Sequence, residues 1–299
     1  MTDCNPEQDS IYITYQDCNN LYGHTMSQPS PYSDFQWLPV ENFDLNSIFK
    51  DGEVGWTLNV DIDYPTHLHT LHNHFPFLPE NIKINNNNKL GPHLDNRKNY
   101  IVHYTHIRQA LRHGLILTKL NRILQFRQSC WLKPYIDLNT NLRTRAANDF
   151  ERDLYKLYNN AVYGKTMENL RKRINLKLVS CPKKIEKLVA RTEFTDRVIH
   201  AENLCAVHLA KRKILLNKPM YVGMSILDLS KVTMYSYHYE VMLPMFGHDR
   251  LTLAYIDTDS FIYKILTDDL YKDMVSVLDK LDTSNYPTDH ILIQKTKKL

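Results

Sequence analysis

Three stretches of this 299-residue sequence predict a mixed α/β fold built on antiparallel strands. In "LTLAYIDTDSFIYKI", Leu251 to Ile265, two aromatic and β-branched runs flank Asp-Thr-Asp-Ser, which is the chemistry of a hairpin. "TNLRTRAANDFERDLYKLYNNAVYG" has helical spacing and meets no proline until Pro182. "PMYVGMSILDLSKVTMYSYHYEVMLPMFG" reads as an amphipathic, aromatic-rich helix that leads straight into the hairpin. A chain of this length can bury a substantial core in one large or two ordinary domains.

Composition narrows the class. No apolar run is long enough to span a bilayer, and "MTDCNPEQDS" lacks the charged and apolar regions of a signal peptide. The expectation is a soluble intracellular protein with no membrane partner. Cys4, Cys18, Cys130, Cys181 and Cys205 are odd in number and scattered without a C-x-x-C, so they read as reduced thiols. Net charge is only +4, yet basic residues cluster in Arg171–Arg191 and Ala210–Pro219, which suits a polyanion or, as plainly, a solvated face.

Taken in order, "DSIYITYQDCNNLYG" opens with a β-rich run that ends in an acid, Asp17. "GWTLNVDIDYP" carries a second D-x-D at Asp61 and Asp63; Pro65 follows without a returning strand, so a surface ladder is expected there rather than a metal site. His67, His69, His72 and His74 lack an acid or cysteine partner at ligand spacing and are expected to be solvated. Asn85 to Asn88 is an expected exposed loop. From Asn99 the pattern is strand, short helix, strand. A helix is then expected to start at Thr140 or Asn141, placing Arg145, Asp149, Arg152, Lys156 and Asn160 on one basic and amide face. Asp257 and Asp259 sit at the hairpin tip. Carboxylates beside a core are costly unless paired, hydrogen-bonded or bound to a cation, and the plain alternative is a wet hairpin tip.

These residues carry a resemblance. "YIDTDS" resembles the catalytic hairpin of family B DNA polymerases, "DCNNLYG" their first metal-binding motif, and "KLYNNAVYG" their Lys-x-x-x-Asn-x-x-Tyr-Gly fingers helix, in the family's order. The intervening texture, including "SQPSPYSDFQWLP", "WLKPYIDLNT", "GKTMENLRKR" and "NKPMYVGMSILDLSK", is similar to the protein-primed polymerases of Maverick or Polinton-type mobile elements and related viruses.

The resemblance implies a DNA-directed DNA polymerase core that joins dNTPs to a primer 3'-hydroxyl on a DNA template, in replication of a virus-like mobile element. It implies two Mg2+ ions, with Mn2+ able to substitute, because in-line phosphoryl transfer draws on paired divalent ions. Asp17, Asp257 and Asp259 become catalytic. Asp17, Asp259 and the main-chain carbonyl of Cys18 become ligands, and Asp257 acts more indirectly. Tyr22 would exclude a ribose 2'-hydroxyl, Lys156 would hold the triphosphate with Arg145 assisting, and Asn160, Tyr163 and Gly164 would line the nascent base pair. Arg171, Lys172 and Arg173 would contact DNA. A terminal protein primer is a further implied partner, and a nuclear location follows for a eukaryotic host.

The implied architecture is a palm (about 1–48 and 200–270), an insertion (about 49–139), helical fingers (about 140–175) and a second insertion (about 176–199). Ala161 stands where the family has serine, and Gly23 where many relatives have proline. With a start just ahead of Asp17 and an end at "QKTKKL", the expectation is a palm-and-fingers core without exonuclease and thumb, a fragment or a decayed mobile-element copy. Two other readings stay open: an inactive nucleic-acid-binding remnant, and a different metal-dependent nucleotidyltransferase or nuclease. The fingers residues weigh against a nuclease, which needs no incoming triphosphate.

Overall fold

The computed structural model describes residues 10–283 together with Tyr286, Pro287, His290 and Leu292. Cys4 lies outside the described residues; Cys18, Cys130, Cys181 and Cys205 are free thiols, as expected. No helix among the described residues is long and apolar enough to cross a membrane. The chain forms two compact units, one running through Asn160 and resuming at Met224, the other Ala161–Gly223.

In the first unit, Ser260–Thr267 is the middle strand of a three-stranded antiparallel sheet, between Ser10–Asp17 and Leu251–Asp257. Period-2 alternation decides its faces. Phe261, Tyr263 and Ile265 point into a core with Leu21, Met242, Phe246 and Leu251, while Ile11, Ile13, Tyr15 and Asp17 of the edge strand point outward. We refer to this as the acidic sheet.

A four-stranded antiparallel sheet orders Ser30–Leu38, Ile116–Ser129, Val54–Asp63 and Arg97–His103. The second D-x-D therefore lies on an inner strand paired on both sides, not on a strand without a partner; the partners come from residues 97–129, too far along the chain for local spacing to reveal. Asn85–Asn88 is the tip of a hairpin between Glu80–Ile84 and Asn87–Gly91. Its two turn residues, Asn85 and Asn86, both take positive φ (49° and 63°), as a twist-matched two-residue turn requires.

The expected short helix is Tyr104–Arg112, which buries Ile107 and Ala110 on the large sheet. The expected long apolar helix is Met220–Ser236, followed by a π-helical turn, Tyr237–Met242, and Leu243–Arg250. From this helix Tyr235 and Tyr239 donate to the carbonyls of Pro76 and Phe75, each at 2.7 Å. Asp228 accepts the His103 N–H at 2.8 Å and pairs with Lys231 at 3.3 Å. Burial alone would push the Asp228 carboxyl up, but His106, Lys231 and that N–H hold it well below the carboxylate range.

The histidine-rich segment departs from expectation at two positions, His69, which is half-buried with its Nε2 3.3 Å from the Tyr64 carbonyl, and His72. His67 and His74 are exposed, but His72 is fully buried, hydrogen-bonded to the Tyr64 hydroxyl at 2.9 Å and edge-on to Phe77. The Tyr64 bond and the aromatic packing offset the cost of burying this imidazole, whose Nε2 has no hydrogen-bond partner among the described residues. Burial pulls His72, His103 and His238 down to about 4.

In the second unit, Leu204–Leu209 is the middle strand of an antiparallel sheet with Leu176–Val179 and Phe194–Ala201. Helix Pro182–Val189 covers one face, and Leu188 joins Val179, Cys205, Val207 and Leu209 in a small core.

Candidate active site

The acidic turn is built by strand register. Asp17, at the end of the edge strand, and Asp257, at the end of the other, are both register partners of Ser260. The Cys18 N–H donates to the Asp259 carbonyl at 2.7 Å, fastening the first strand's end to the tip. The Asp259 N–H donates to the Asp257 carbonyl at 2.5 Å across Thr258, which takes φ 50°. Ser260 Oγ donates to the same carbonyl at 3.2 Å. The turn is thus held mainly by backbone groups, while the Tyr15 hydroxyl donates to Asp17 Oδ2 at 3.0 Å and Thr258 Oγ1 to Asp257 Oδ1 at 3.3 Å.

Asp17 and Asp257 are exposed and Asp259 is half-buried. Burial pushes the Asp259 carboxyl up, Asp17 and then Asp257 add to the rise, and Lys156 opposes it. Burial likewise raises the Cys18 thiol, with Asp17 and Asp259 contributing. Among the described residues no group of three or more His, Cys, Asp or Glu side chains forms a cage for a metal. Magnesium does not demand one, since it is commonly held by one or two carboxylates plus substrate phosphates and water. Hard oxygen donors gathered in mutual repulsion are the chemistry such a cation satisfies.

Lys156 stands on helix Asp149–Thr166, near enough to lower the Asp259 carboxyl electrostatically. That helix does not begin at Thr140 or Asn141. Lys133–Thr144 is a separate helix, and Arg145 is its C-cap rather than a member of the Lys156 face. The break is set by Asn148, whose Oδ1 accepts the Glu151 N–H at 2.9 Å while Glu151 accepts the Ala147 N–H at 2.9 Å, close to a capping box. Asn160 is exposed one turn beyond Lys156. Tyr163 and Gly164, on the same helix, belong to the second unit; a Cβ at Gly164 would meet nothing within 4 Å.

Tyr22 is half-buried in the first turn of helix Leu21–Met26. Asn20 precedes it in the left-handed conformation (φ 56°), and its amide lies 2.0 Å from where a Cβ at residue 23 would be, which explains Gly23. Arg171 and Lys172 are exposed; Arg173 is held by Glu168, with its closest bonds at 2.7 Å. One contact beside the site was not foreseen: Tyr237 donates to Gln16 Oε1 at 2.8 Å, next to Asp17. Nothing local in the sequence signals it, since the two residues are 221 positions apart.

Residues 2–240 match the family model of DNA polymerase type B, organellar and viral, a match that includes Asp17 and Lys156 and stops before the acidic turn. Among solved structures, the fold is similar to Phi29 DNA polymerase complexed with primer-template DNA, at 16% identity and a TM-score of 0.52, over 92% of this chain and 41% of that one. It is similar to the same polymerase complexed with primer-template DNA and incoming nucleotide substrates, at 16% identity and a TM-score of 0.52, over 91% and 43%. The present chain therefore spans less than half the length of either. The mixed α/β architecture, antiparallel sheets with helices, matches part of that palm and fingers fold. No curated protein matches the sequence.

Proposed function

This chain belongs to the type B DNA polymerases of the organellar and viral kind, and from that premise we propose that it is the nucleotidyl-transfer core of a DNA-directed DNA polymerase. The observation that carries the reading is that strand register brings Asp17 and the Asp257–Asp259 tip, from distant parts of the sequence, to one turn, with Lys156 near enough to lower the Asp259 carboxyl electrostatically.

Asp17 and Asp259, with the Cys18 carbonyl, would hold two Mg2+ ions, with Mn2+ able to substitute. Bound there, the ions lower the pKa of a primer hydroxyl and neutralise charge on departing pyrophosphate. The remaining work falls to the chain's own groups. Lys156 offers a mobile point charge to the triphosphate. Tyr22 stacks beneath the incoming sugar and leaves no room for a 2'-hydroxyl. Asn160, Tyr163 and Gly164 line the nascent pair, where open space at Gly164 permits close approach of backbone to base. Arg171, Lys172 and Arg173 contribute DNA contacts. Arg145, the C-cap of Lys133–Thr144 rather than a member of the Lys156 face, would assist at the triphosphate from that separate helix.

The palm, insertion and fingers bounds given above, a template-primer partner, a terminal protein primer, an intracellular and, in a eukaryotic host, nuclear setting, and service to a Maverick-like or virus-like element belong to the same proposal. The Phi29 complexes support the partner classes, since that polymerase is bound to primer-template DNA and nucleotides.

The test is primer extension by the full chain beside Asp259→Asn. Incorporation by the parent and a loss of more than about a hundredfold in the variant, with an unchanged circular dichroism spectrum, is the expected result. DNA binding without incorporation by either protein would favour an inactive nucleic-acid-binding remnant.

A further inference from the structure

Asp17 is placed by its backbone and not by packing. Its strand ends in register with Ser260, the Cys18 N–H donates to the Asp259 carbonyl at 2.7 Å, and on the inner face Tyr237 donates to Gln16 Oε1 at 2.8 Å. The Tyr237 ring lies nearly parallel to that of Phe261, the register partner of Gln16, at 6.3 Å and 16°. The main chain on either side of Asp17 is therefore anchored. The side chain is exposed, so no neighbour's bulk selects its torsions, and the second torsion of an aspartate is soft.

A hydrogen bond selects them instead. Alternation puts Tyr15 on the same outward face as Asp17, two residues or about 7 Å along the strand, a span that a tyrosine ring laid along the strand can cross. Its hydroxyl donates to Asp17 Oδ2 at 3.0 Å. Tyr15 is 66% exposed, so its ring contributes little to the core. Tyr255, on the opposite edge strand and 58% exposed, makes no matching bond to Asp257 among the described residues. An ionised carboxylate offers about four lone-pair sites, so one bond from Tyr15 leaves Oδ1 and part of Oδ2 for a cation.

We propose that Tyr15 is a positioning residue, whose hydroxyl holds the Asp17 carboxylate in the orientation that meets a divalent cation. It acts through the ligand and does not touch the ion. The role rests on the reading of Asp17 as a metal ligand given above. Mg2+ demands near-ideal octahedral geometry, so a carboxylate that swings between rotamers binds it less well than one already turned to the site. A hydroxyl orients the carboxylate without cancelling its charge, as a lysine at the same position would.

The test is Mn2+ binding to the full chain, read from the electron paramagnetic resonance signal of free Mn2+, for the parent, Tyr15→Phe, Asp259→Asn and, as a control, Tyr255→Phe. Tyr15→Phe keeps the exposed ring and removes only the bond, and a thermal melt checks that the fold is retained. The expected result is a Kd about tenfold higher in Tyr15→Phe, with Tyr255→Phe at the parental value. In primer extension Tyr15→Phe should then need about tenfold more Mg2+ and regain the parental rate at saturating metal, whereas a packing fault would lower the rate at every metal concentration. A parental Kd in Tyr15→Phe beside a weakened Asp259→Asn overturns the role of Tyr15 alone. An equal loss in Tyr255→Phe overturns it too, since any edge tyrosine would then serve. A parental Kd in Asp259→Asn overturns the metal reading of the turn, and the Tyr15 proposal with it.

Discussion

Two stretches of the chain read D-x-D, and the molecule treats them in opposite ways. Asp61 lies on an inner strand, where its Oδ1 accepts the Asn99 N–H and the Asn121 amide, both at 2.8 Å. Those two bonds, with Lys119 and Lys98 nearby, lower its carboxyl below the ordinary value. Asp259 lies on a turn, where burial, Asp17 and Asp257 raise it. The same spacing yields one carboxylate whose charge the protein has already answered and one whose charge it has concentrated. A carboxylate satisfied by its own fold is structural; a set left in mutual repulsion is available for a cation.

The sharpest way to break the contrast beyond the aspartates themselves is at the sugar. If Tyr22 lies under the incoming ribose, Tyr22→Ala should raise the ratio of rNTP to dNTP kcat/KM by about ten- to a hundredfold, and Tyr22→Phe should barely move it. Equal loss of both activities would make Tyr22 a packing residue instead. Next in size is Lys156→Ala. It should raise KM about tenfold for all four dNTPs alike, because phosphate contacts carry no base information; an effect that differs among the bases would place Lys156 against the base pair.

The interior offers a third effect, on stability. His72, His103 and His238 titrate near 6.5 when exposed and near 4 in the fold. Below pH 6.5 the unfolded chain therefore takes up protons that the folded chain refuses, so the urea midpoint should fall between pH 6.5 and 4. A flat midpoint over that range would mean these rings are protonated in the folded protein. The smallest effect on catalysis belongs to Asp61→Ala, which should lower the urea midpoint yet leave incorporation at the parental rate. Lost incorporation at parental stability would erase the distinction between the two stretches.

The acidic turn was legible because its causes are local: alternation sets the strands and Asp-Thr-Asp-Ser sets the turn. The start of the Lys156 helix was also written locally, as Asn148 three residues before Glu151, but an unbroken run without proline read as one helix and carried Arg145 into it. Burial of His72 and the two-sided pairing of Val54–Asp63 were not legible, because each depends on residues that only the tertiary fold brings near. The Tyr237–Gln16 contact was not legible either, since it joins residues 221 positions apart that only the tertiary fold brings together.

The pairing of Ser10 with Thr267 and of Asp17 with Ser260 has a kinetic meaning. The edge strand that delivers Asp17 finds its partner only after Ser260–Thr267 has been made, and closing so long a loop is slow by comparison with forming helices or hairpins. The large sheet, whose strands all lie between residues 30 and 129, can assemble during synthesis, with the edge strand still waiting. Nascent chains should therefore acquire protease resistance in the sheet region before they acquire any capacity to react, and mutations that slow docking of the first strand should delay activity in refolding without altering its final level.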